Sequence, residues 1–321
     1  MKWLSLACVF LAGCGRYADF TLPQLPGGPR PVYIFAEDPS PVIANGNFTD
    51  VLNPSVVRAA GGLVNLYSVF DGRTWHTALA TSSDGSRWQP QGIVLSPQPS
   101  TWEGSYIAAN GSALFEESRY WYWYQAGPRQ EPRLGLAVSS DGRTWRKQPA
   151  PVVEGGPYMS WDERGVADPY VIRFGGNLYM YYTGLDRARP PHQRIGIARS
   201  TDGIYWKKLR SGPVLDFGNE ANLGEPAVWS SSGHYWMLVT VRNRDETRYL
   251  ELADSTDGVH WTPLRQAFRP RSAWDSEVLC DPSVLEENGR VEVWFGGGDR
   301  PSPDENLHGQ IGHGRLIQKS Y

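Results

Sequence analysis

The pattern Ser-x-Asp-Gly-x-x-Trp occurs four times, at Ser82–Trp88, Ser139–Trp145, Ser200–Trp206 and Ser255–Trp261. Its aspartates stand at 84, 141, 202 and 257, so successive copies are 57, 61 and 55 residues apart. A repeat of that length made of short strands is the period of a propeller blade. Each copy follows a short apolar strand (HTALATS, LGLAVSS, IGIARST, LELADST) and precedes another short strand. Asp-Gly is a strong signal for a two-residue hairpin, because both residues tolerate positive φ, and Ser and Asp side chains bond turn backbone. The motif therefore reads as the hairpin between the third and fourth strands of a blade. Its tryptophan is expected to wedge against a neighbour, a structural role rather than a ligand-binding one.

The rest of each repeat fits this reading. An aromatic strand lies upstream (VNLYSVF, YWYWYQAG, NLYMYYTG, YWMLVTV), and VEVWFGGG marks a fifth unit. Before each comes an apolar strand: PSVVRA, GSALFE, PYVIRF, PAVWSS and PSVLEE. The fifth unit runs to Gln318 without a fourth strand, and PVYIFAEDPSPVI (31–43) supplies one from the N-terminal side. The expected fold is all-β: one five-bladed β-propeller over residues 31–321, closed by an N-terminal strand, which removes open sheet edges. The 35 glycines and 25 prolines suit a turn-rich protein of this kind.

The first 13 residues read as a signal peptide: Lys2, then an apolar run too short to span a bilayer. Leu11-Ala12-Gly13-Cys14 resembles the bacterial lipobox, which implies lipidation at Cys14 and attachment to the cell envelope, at the outer membrane since Gly15 follows. Residues 14–30 then read as the lipidated cysteine and a flexible Pro/Gly-rich tether. With Cys8 and Cys14 so assigned, Cys280 has no disulfide partner. A formal charge of −3 without a basic stripe argues against nucleic acid as a partner. The expected chain is a monomer that meets the membrane through its lipid alone.

Chemistry is expected where the blades converge. The residue that opens each innermost strand is polar: Asn53, Asn110, Asp168, Glu225 and Asp281. In a propeller these positions ring one mouth of the channel. Crowded carboxylates push their pKa values apart, so that one stays protonated while another is a base. A residue before proline is also biased towards β geometry, and a short polar side chain there can cap backbone, so Asn53 and Asn110 have a structural reading as well.

The Asp-Pro of blade 3, the Glu-Pro of blade 4 and the hairpin motif resemble the superfamily of five-bladed arabinanases, xylosidases and fructosidases, glycoside hydrolase families 43, 32 and 130. The resemblance covers nearly the whole mature chain. It implies Glu225 as general acid, Asp168 as the aspartate that tunes it, and a blade-1 aspartate as base. Asn53 stands there instead, and an amide does not take a proton from water. Asp281 and Asp50 are the replacement candidates. Family 130 is similar in its blade-1 Asn-Pro, and many of its members use phosphate as nucleophile; its acid, however, lies in a blade-2 EDPR-like segment, where this chain has AANGS.

Further candidates lie in the loops. Those joining second and third strands are rich in arginine, Arg187 and Arg242 among them, and arginine forks suit carboxylate or phosphate; pairing with loop acids is the other reading. Trp102, Trp161 and Trp274 each precede an acid (TWEGS, SWDER, AWDSE) and would either floor a sugar site or buttress the loops. No Gly-rich phosphate loop, zinc-spaced cluster or Gly-x-Ser-x-Gly occurs, so no cofactor and no metal ligand set is assigned. The expectation is a glycoside hydrolase acting on an oligo- or polysaccharide, acidic ones among the candidates, with Asp168, Glu225 and Asp281 catalytic and Asn53, Asn110, the three tryptophans, Arg187 and Arg242 contacting substrate. The alternatives are a phosphate-dependent phosphorylase and a non-catalytic glycan-binding propeller.

Overall fold

The computed structural model describes residues 14–319, so the expected signal peptide lies outside the described residues. Strand β1 (Tyr17–Ala18) and strand β2 (Tyr33–Glu37) precede the repeats. Blade 1 holds β3 (Asp50–Ala59), β4 (Gly62–Phe70), β5 (Trp75–Ser82) and β6 (Gln89–Leu95). Blade 2 holds β7 (Ala108–Glu116), β8 (Arg119–Ala126), β9 (Arg133–Ser139) and β10 (Arg146–Lys147). Blade 3 holds β11 (Gly165–Phe174), β12 (Asn177–Leu185), β13 (Gln193–Ser200) and β14 (Lys207–Leu209). Blade 4 holds β15 (Asn222–Ser231), β16 (His234–Arg242), β17 (Arg248–Ser255) and β18 (Thr262–Phe268). Blade 5 holds β19 (Val278–Glu287), β20 (Arg290–Gly298) and β21 (Gln310–Gln318), and β2 pairs antiparallel with β21 as its fourth strand. The innermost strands β3, β7, β11, β15 and β19 neighbour one another in turn, and β19 returns to β3.

The apolar core is a set of slabs between adjacent blades. Tyr181, Ile195 and Ile197 of blade 3 meet Leu223, Met237 and Val239 of blade 4. Trp236 and Leu238 of blade 4 meet Val293 and Phe295 of blade 5. Aromatic second strands supply most of this area, which explains their composition.

The repeated hairpins are more elaborate than a two-residue turn. Glycines 85, 142, 203 and 258 take φ of 80°, 72°, 76° and 73°, but the aspartates before them do not take positive φ. The loop runs from 83 to 88 in blade 1 and is organised by side chains. Asp84 Oδ1 accepts the N–H groups of Ser86 and Arg87, while Ser82 Oγ accepts that of Gly85. The motif tryptophan donates to the glycine carbonyl, as Trp88 does to Gly85 at 2.8 Å. That carbonyl also receives the neighbouring blade: Trp294 to Gly85, Trp123 to Gly203 and Tyr181 to Gly258. The motif is an inter-blade clamp.

Residues 15–30 do not hang free, as a tether would. They form a strap: β1 runs parallel to β14, and the N–H groups of Leu22 and Leu25 bond to Asp257 and Thr256 of the blade-4 hairpin. Leu22 is buried between blades 3 and 4. Apolar Phe20, Leu22 and Leu25 among the prolines were the overlooked signal. Leu22→Asp is expected to release the strap and expose the 15–30 segment to limited proteolysis while leaving the propeller folded.

Candidate active site at the channel mouth

Each innermost strand breaks register at one place, and the break produces the site. β-Bulges fall between Leu52 and Ser55, Ala109 and Ser112, Ala167 and Tyr170, Gly224 and Ala227, and Cys280 and Ser283. The bulged residues are Asn53, Asn110, Asp168, Glu225 and Asp281, with φ of 49°, 47°, 46°, 53° and 52°. The expected β geometry before proline is therefore replaced by a left-handed one. Asn and Asp tolerate that region, whereas Glu225 is strained there, as residues at functional sites often are. Second-strand hydroxyls hold three of the bulges: Ser68 Oγ accepts Asn110 N–H, Thr183 Oγ1 accepts Glu225 N–H and Thr240 Oγ1 accepts Asp281 N–H.

The five side chains converge on one cavity. The three acids are consecutive around the ring and the two amides complete it. Asn53 Nδ2 donates to Asp281 Oδ1 at 2.7 Å, and Asn110 Nδ2 reaches Asp168 Oδ1 at 3.3 Å. Cys280 Sγ–H points to Asp281 Oδ2 at 3.1 Å. The Asp281 N–H donates to Glu225 Oε2 at 3.3 Å. Burial, then the Glu225 charge, pushes Asp168 up to about 7. The same two causes hold Asp281 well above the usual carboxylate range. Two carboxyls with raised values thus flank Glu225 in the arc.

A family model described as beta-1,4-mannooligosaccharide phosphorylase matches residues 102–278, more than half of the chain. The chain belongs to glycoside hydrolase family 130. It is 28% identical over 217 residues to the 1,2-beta-oligomannan phosphorylase of Thermoanaerobacter sp. (strain X514), covering 63% of this chain and 67% of that protein. It spans about half, 52%, of the length of the curated relatives it matches at 30% identity. A solved structure titled "Glycoside hydrolase" superposes with a TM-score of 0.73 at 18% identity, over 92% of both chains. A second, whose title describes family 130 glycoside hydrolases that target beta-1,2 mannosidic linkages in Candida mannan, gives 0.66 at 16% identity, over 91% of this chain and 96% of that one. At those identities the structures share the fold.

Several candidates of this family 130 chain lie elsewhere than expected. Trp161 stacks on Tyr182 and Trp274 on Phe295, with ring centroids 5.9 Å apart in each pair. Trp102 packs against Gly135, where a Cβ would come within 3.0 Å of its ring. All three tryptophans buttress blades and none lines the cavity. Arg187 is exposed and paired with Glu163 at 2.6 Å, outside the cavity. Arg242 does line it, but is bonded to Glu246. Asp50 is fully buried and accepts the N–H groups of Asn306 and Gly309, so it cannot swing into the mouth.

Other residues lining the cavity were missed as contacts: Tyr106, Gln125, Gln193 and Asp304; Arg248, one of the arginines of the loops joining second and third strands, lines it as well. Arg248 is buried, donates to the carbonyls of Ser302 and Pro303, and leaves Nε without a partner among the described residues. Burial opposes its charge, but Cys280, Glu225 and Asp281 hold it protonated. Its sequence looked like that of its exposed loop neighbours. Glu225, Cys280 and Asp281 bring donor atoms within 4.8 Å of one another. With the Arg248 guanidinium beside them and the thiol donating to Asp281, that cluster does not suit a cation.

Proposed function

We propose that this protein is a glycoside hydrolase that cleaves an oligosaccharide at the channel mouth, with mannosides the first class to test. The observation that carries the reading is the convergence of Asp168, Glu225 and Asp281 on one cavity, with the two outer carboxyls raised above their usual range. Glu225 stands in the middle, and among the described residues the one hydrogen bond its carboxylate accepts comes from the Asp281 N–H, which leaves it free to protonate a glycosidic oxygen. Asp168 and Asp281, both raised, flank it as proton donors to it. Asn53 and Asn110 are placed to bond sugar hydroxyls.

Asp281 does not serve as the base across the sugar. Its donor atom lies within 4.8 Å of that of Glu225, whereas an inverting pair stands about 6.5–9.5 Å apart. The other carboxylate lining the cavity is Asp304, which pairs with Arg129 at 2.9 Å, and we assign it to water activation. Hydrolysis is put first because two of the three arginines lining the cavity are paired, Arg129 with Asp304 and Glu305 and Arg242 with Glu246; Arg248 is the exception. Phosphorolysis is the second reading, favoured by Asn53 in blade 1, since phosphate needs no protein base, and by the family relatives.

The test is product release from mannooligosaccharides and acidic oligosaccharides, with and without inorganic phosphate, by protein starting at Gly15. Release without phosphate supports hydrolysis; release only with phosphate replaces it by phosphorolysis; saturable binding without release replaces both by a glycan-binding propeller. For the hydrolase, kcat/KM is expected to fall as pH rises through about 7, because Asp168, raised to about 7, gives up its proton there. A profile flat from about pH 6 to pH 9 would remove the arc as proton source.

The reading includes export and lipid attachment at Cys14. Cys14→Ala is expected to move the protein from the membrane fraction to the soluble one in a bacterial host; unchanged partitioning refutes the anchor.

A further inference from the structure

The tryptophan–acid motif that lines no site explains a different feature. In blade 2, Glu103 is buried and bonded by Lys147 Nζ at 2.6 Å and by Tyr124 OH at 2.5 Å. In blade 3, Asp162 is buried and bonded by Lys208 Nζ at 2.5 Å and by Tyr182 OH at 3.2 Å. Each lysine also reaches a carbonyl, of Ser96 or Glu154. The two sites are register-equivalent. Tyr124 pairs with Gly135 and Lys147 with Ala137; Tyr182 pairs with Gly196 and Lys208 with Ala198.

Blade 5 has the same frame with different chemistry. Phe295 pairs with Gly312, and Glu37 of the closing strand β2 pairs with Gly314. The acid is Asp275, fully buried. A phenylalanine thus replaces the tyrosine, removing the hydroxyl, and a glutamate replaces the lysine. Asp275 Oδ1 accepts Ser272 N–H at 2.9 Å, and Glu37 Oε1 accepts Ser272 Oγ–H at 3.3 Å. The other oxygen of each, Asp275 Oδ2 and Glu37 Oε2, is buried without a partner among the described residues. Two ionised carboxylates there would repel with no donor between them. One proton between the two orphaned oxygens satisfies both.

We propose that Glu37 and Asp275 share a single proton where blades 2 and 3 place a lysine ammonium, so that attachment of the ring-closing strand β2 depends on pH. Burial first, then the Asp275 charge, pushes Glu37 up to about 7, and burial raises Asp275 as well. Arg271 acts on Glu37 in the opposite direction. The charged groups of the neighbouring strands are engaged with one another: His313 with Asp38 and Glu292, Arg315 with Glu292. Because the folded-state value of Glu37 lies above the ordinary 4.5, this pair's contribution is complete below that value and is lost as pH rises to about 7. β2 is bound to the sheet by its ladder to β21, from Tyr33–Gln318 to Glu37–Gly314, and Glu37 anchors one end of it.

The test compares thermal midpoints from about pH 5 to about pH 9 for the wild type, Glu37→Gln and Glu37→Lys, with amide exchange of residues 33–37 as the local readout. The wild-type midpoint is expected to fall relative to Glu37→Gln across that window by about 2 °C or more. Glu37→Lys, which rebuilds the blade 2 and blade 3 pairing, is expected to exceed the wild type above neutrality and to flatten the curve. Exchange in β2 is expected to quicken with pH beyond its chemical rate in the wild type and not in the variants. Parallel wild-type and Glu37→Gln curves overturn the proposal. So does a wild-type midpoint at about pH 8 that calcium or magnesium raises and Glu37→Gln abolishes, since a metal ion would then fill the lysine's place. Should Glu37→Lys fail to fold, Asp275→Asn gives the same comparison. None of these readouts needs a substrate.

Discussion

Replacing Glu225 by Gln is expected to lower kcat/KM by about 10²–10⁴-fold, the range for loss of a general acid. The amide keeps the shape of the side chain and can still accept the Asp281 N–H, so the bulge, its positive φ and the Thr183 contact to the Glu225 backbone are retained. What disappears is the oxygen that passes a proton from the arc to the leaving group. The loss therefore belongs in kcat rather than in KM or the thermal midpoint. Leaving-group dependence separates this role from a structural one. An aryl glycoside with a good leaving group needs little proton assistance, so the variant should recover most of its rate on that substrate and little on a natural linkage. Activity within about threefold of wild type on both substrates would remove Glu225 from the chemistry. A uniform loss on both would make it a positioning residue instead.

Trp294→Ala is expected to destabilise the propeller by about 3–5 kcal/mol, the usual range for truncating a buried large aromatic. Trp294 is 1% exposed and belongs to blade 5, yet it donates to the Gly85 carbonyl of blade 1 at 2.8 Å. It meets Trp88 edge-on at 6.2 Å. Gly85 is kept bare for it: a Cβ there would stand 2.8 Å from the ring. The substitution removes a slab of contact at the seam where the last blade meets the first, and leaves the Gly85 carbonyl short of a donor. Denaturant unfolding should show a lower midpoint with the slope retained. Trp294→Phe should lie between, since it keeps part of the packing and loses the N–H. A cost below about 1 kcal/mol for the alanine variant would show that the hairpin clamps do not hold the blades together.

The repeat was legible because it is local. A run of Ser-x-Asp-Gly-x-x-Trp organises its own loop through side-chain bonds to nearby backbone, and four copies at blade spacing announce the architecture. The ring positions 53, 110, 168, 225 and 281 could be aligned for the same reason: each opens an equivalent strand, and four of the five precede proline. The left-handed bulge at each was not legible, because proline biases the preceding residue towards extended geometry and it is hydroxyls such as those of Thr183 and Thr240, on the preceding blade, that hold the other conformation.

The sequence alone determined what depends on periodicity and on nearest neighbours: an all-β chain, five repeating units, the hairpin clamps and a candidate ring of acids and amides. Tertiary structure decided everything that depends on who stands opposite whom. It placed Asp281 beside Glu225 instead of across from it, buried Arg248 while leaving Arg187 in solvent, and turned the three tryptophans into buttresses. It also set Glu37 against Asp275, 238 positions apart by their numbering, where blades 2 and 3 have a lysine. Burial and the charge of an opposing group control a carboxylate's proton, and neither is written in the residues adjacent to it along the chain.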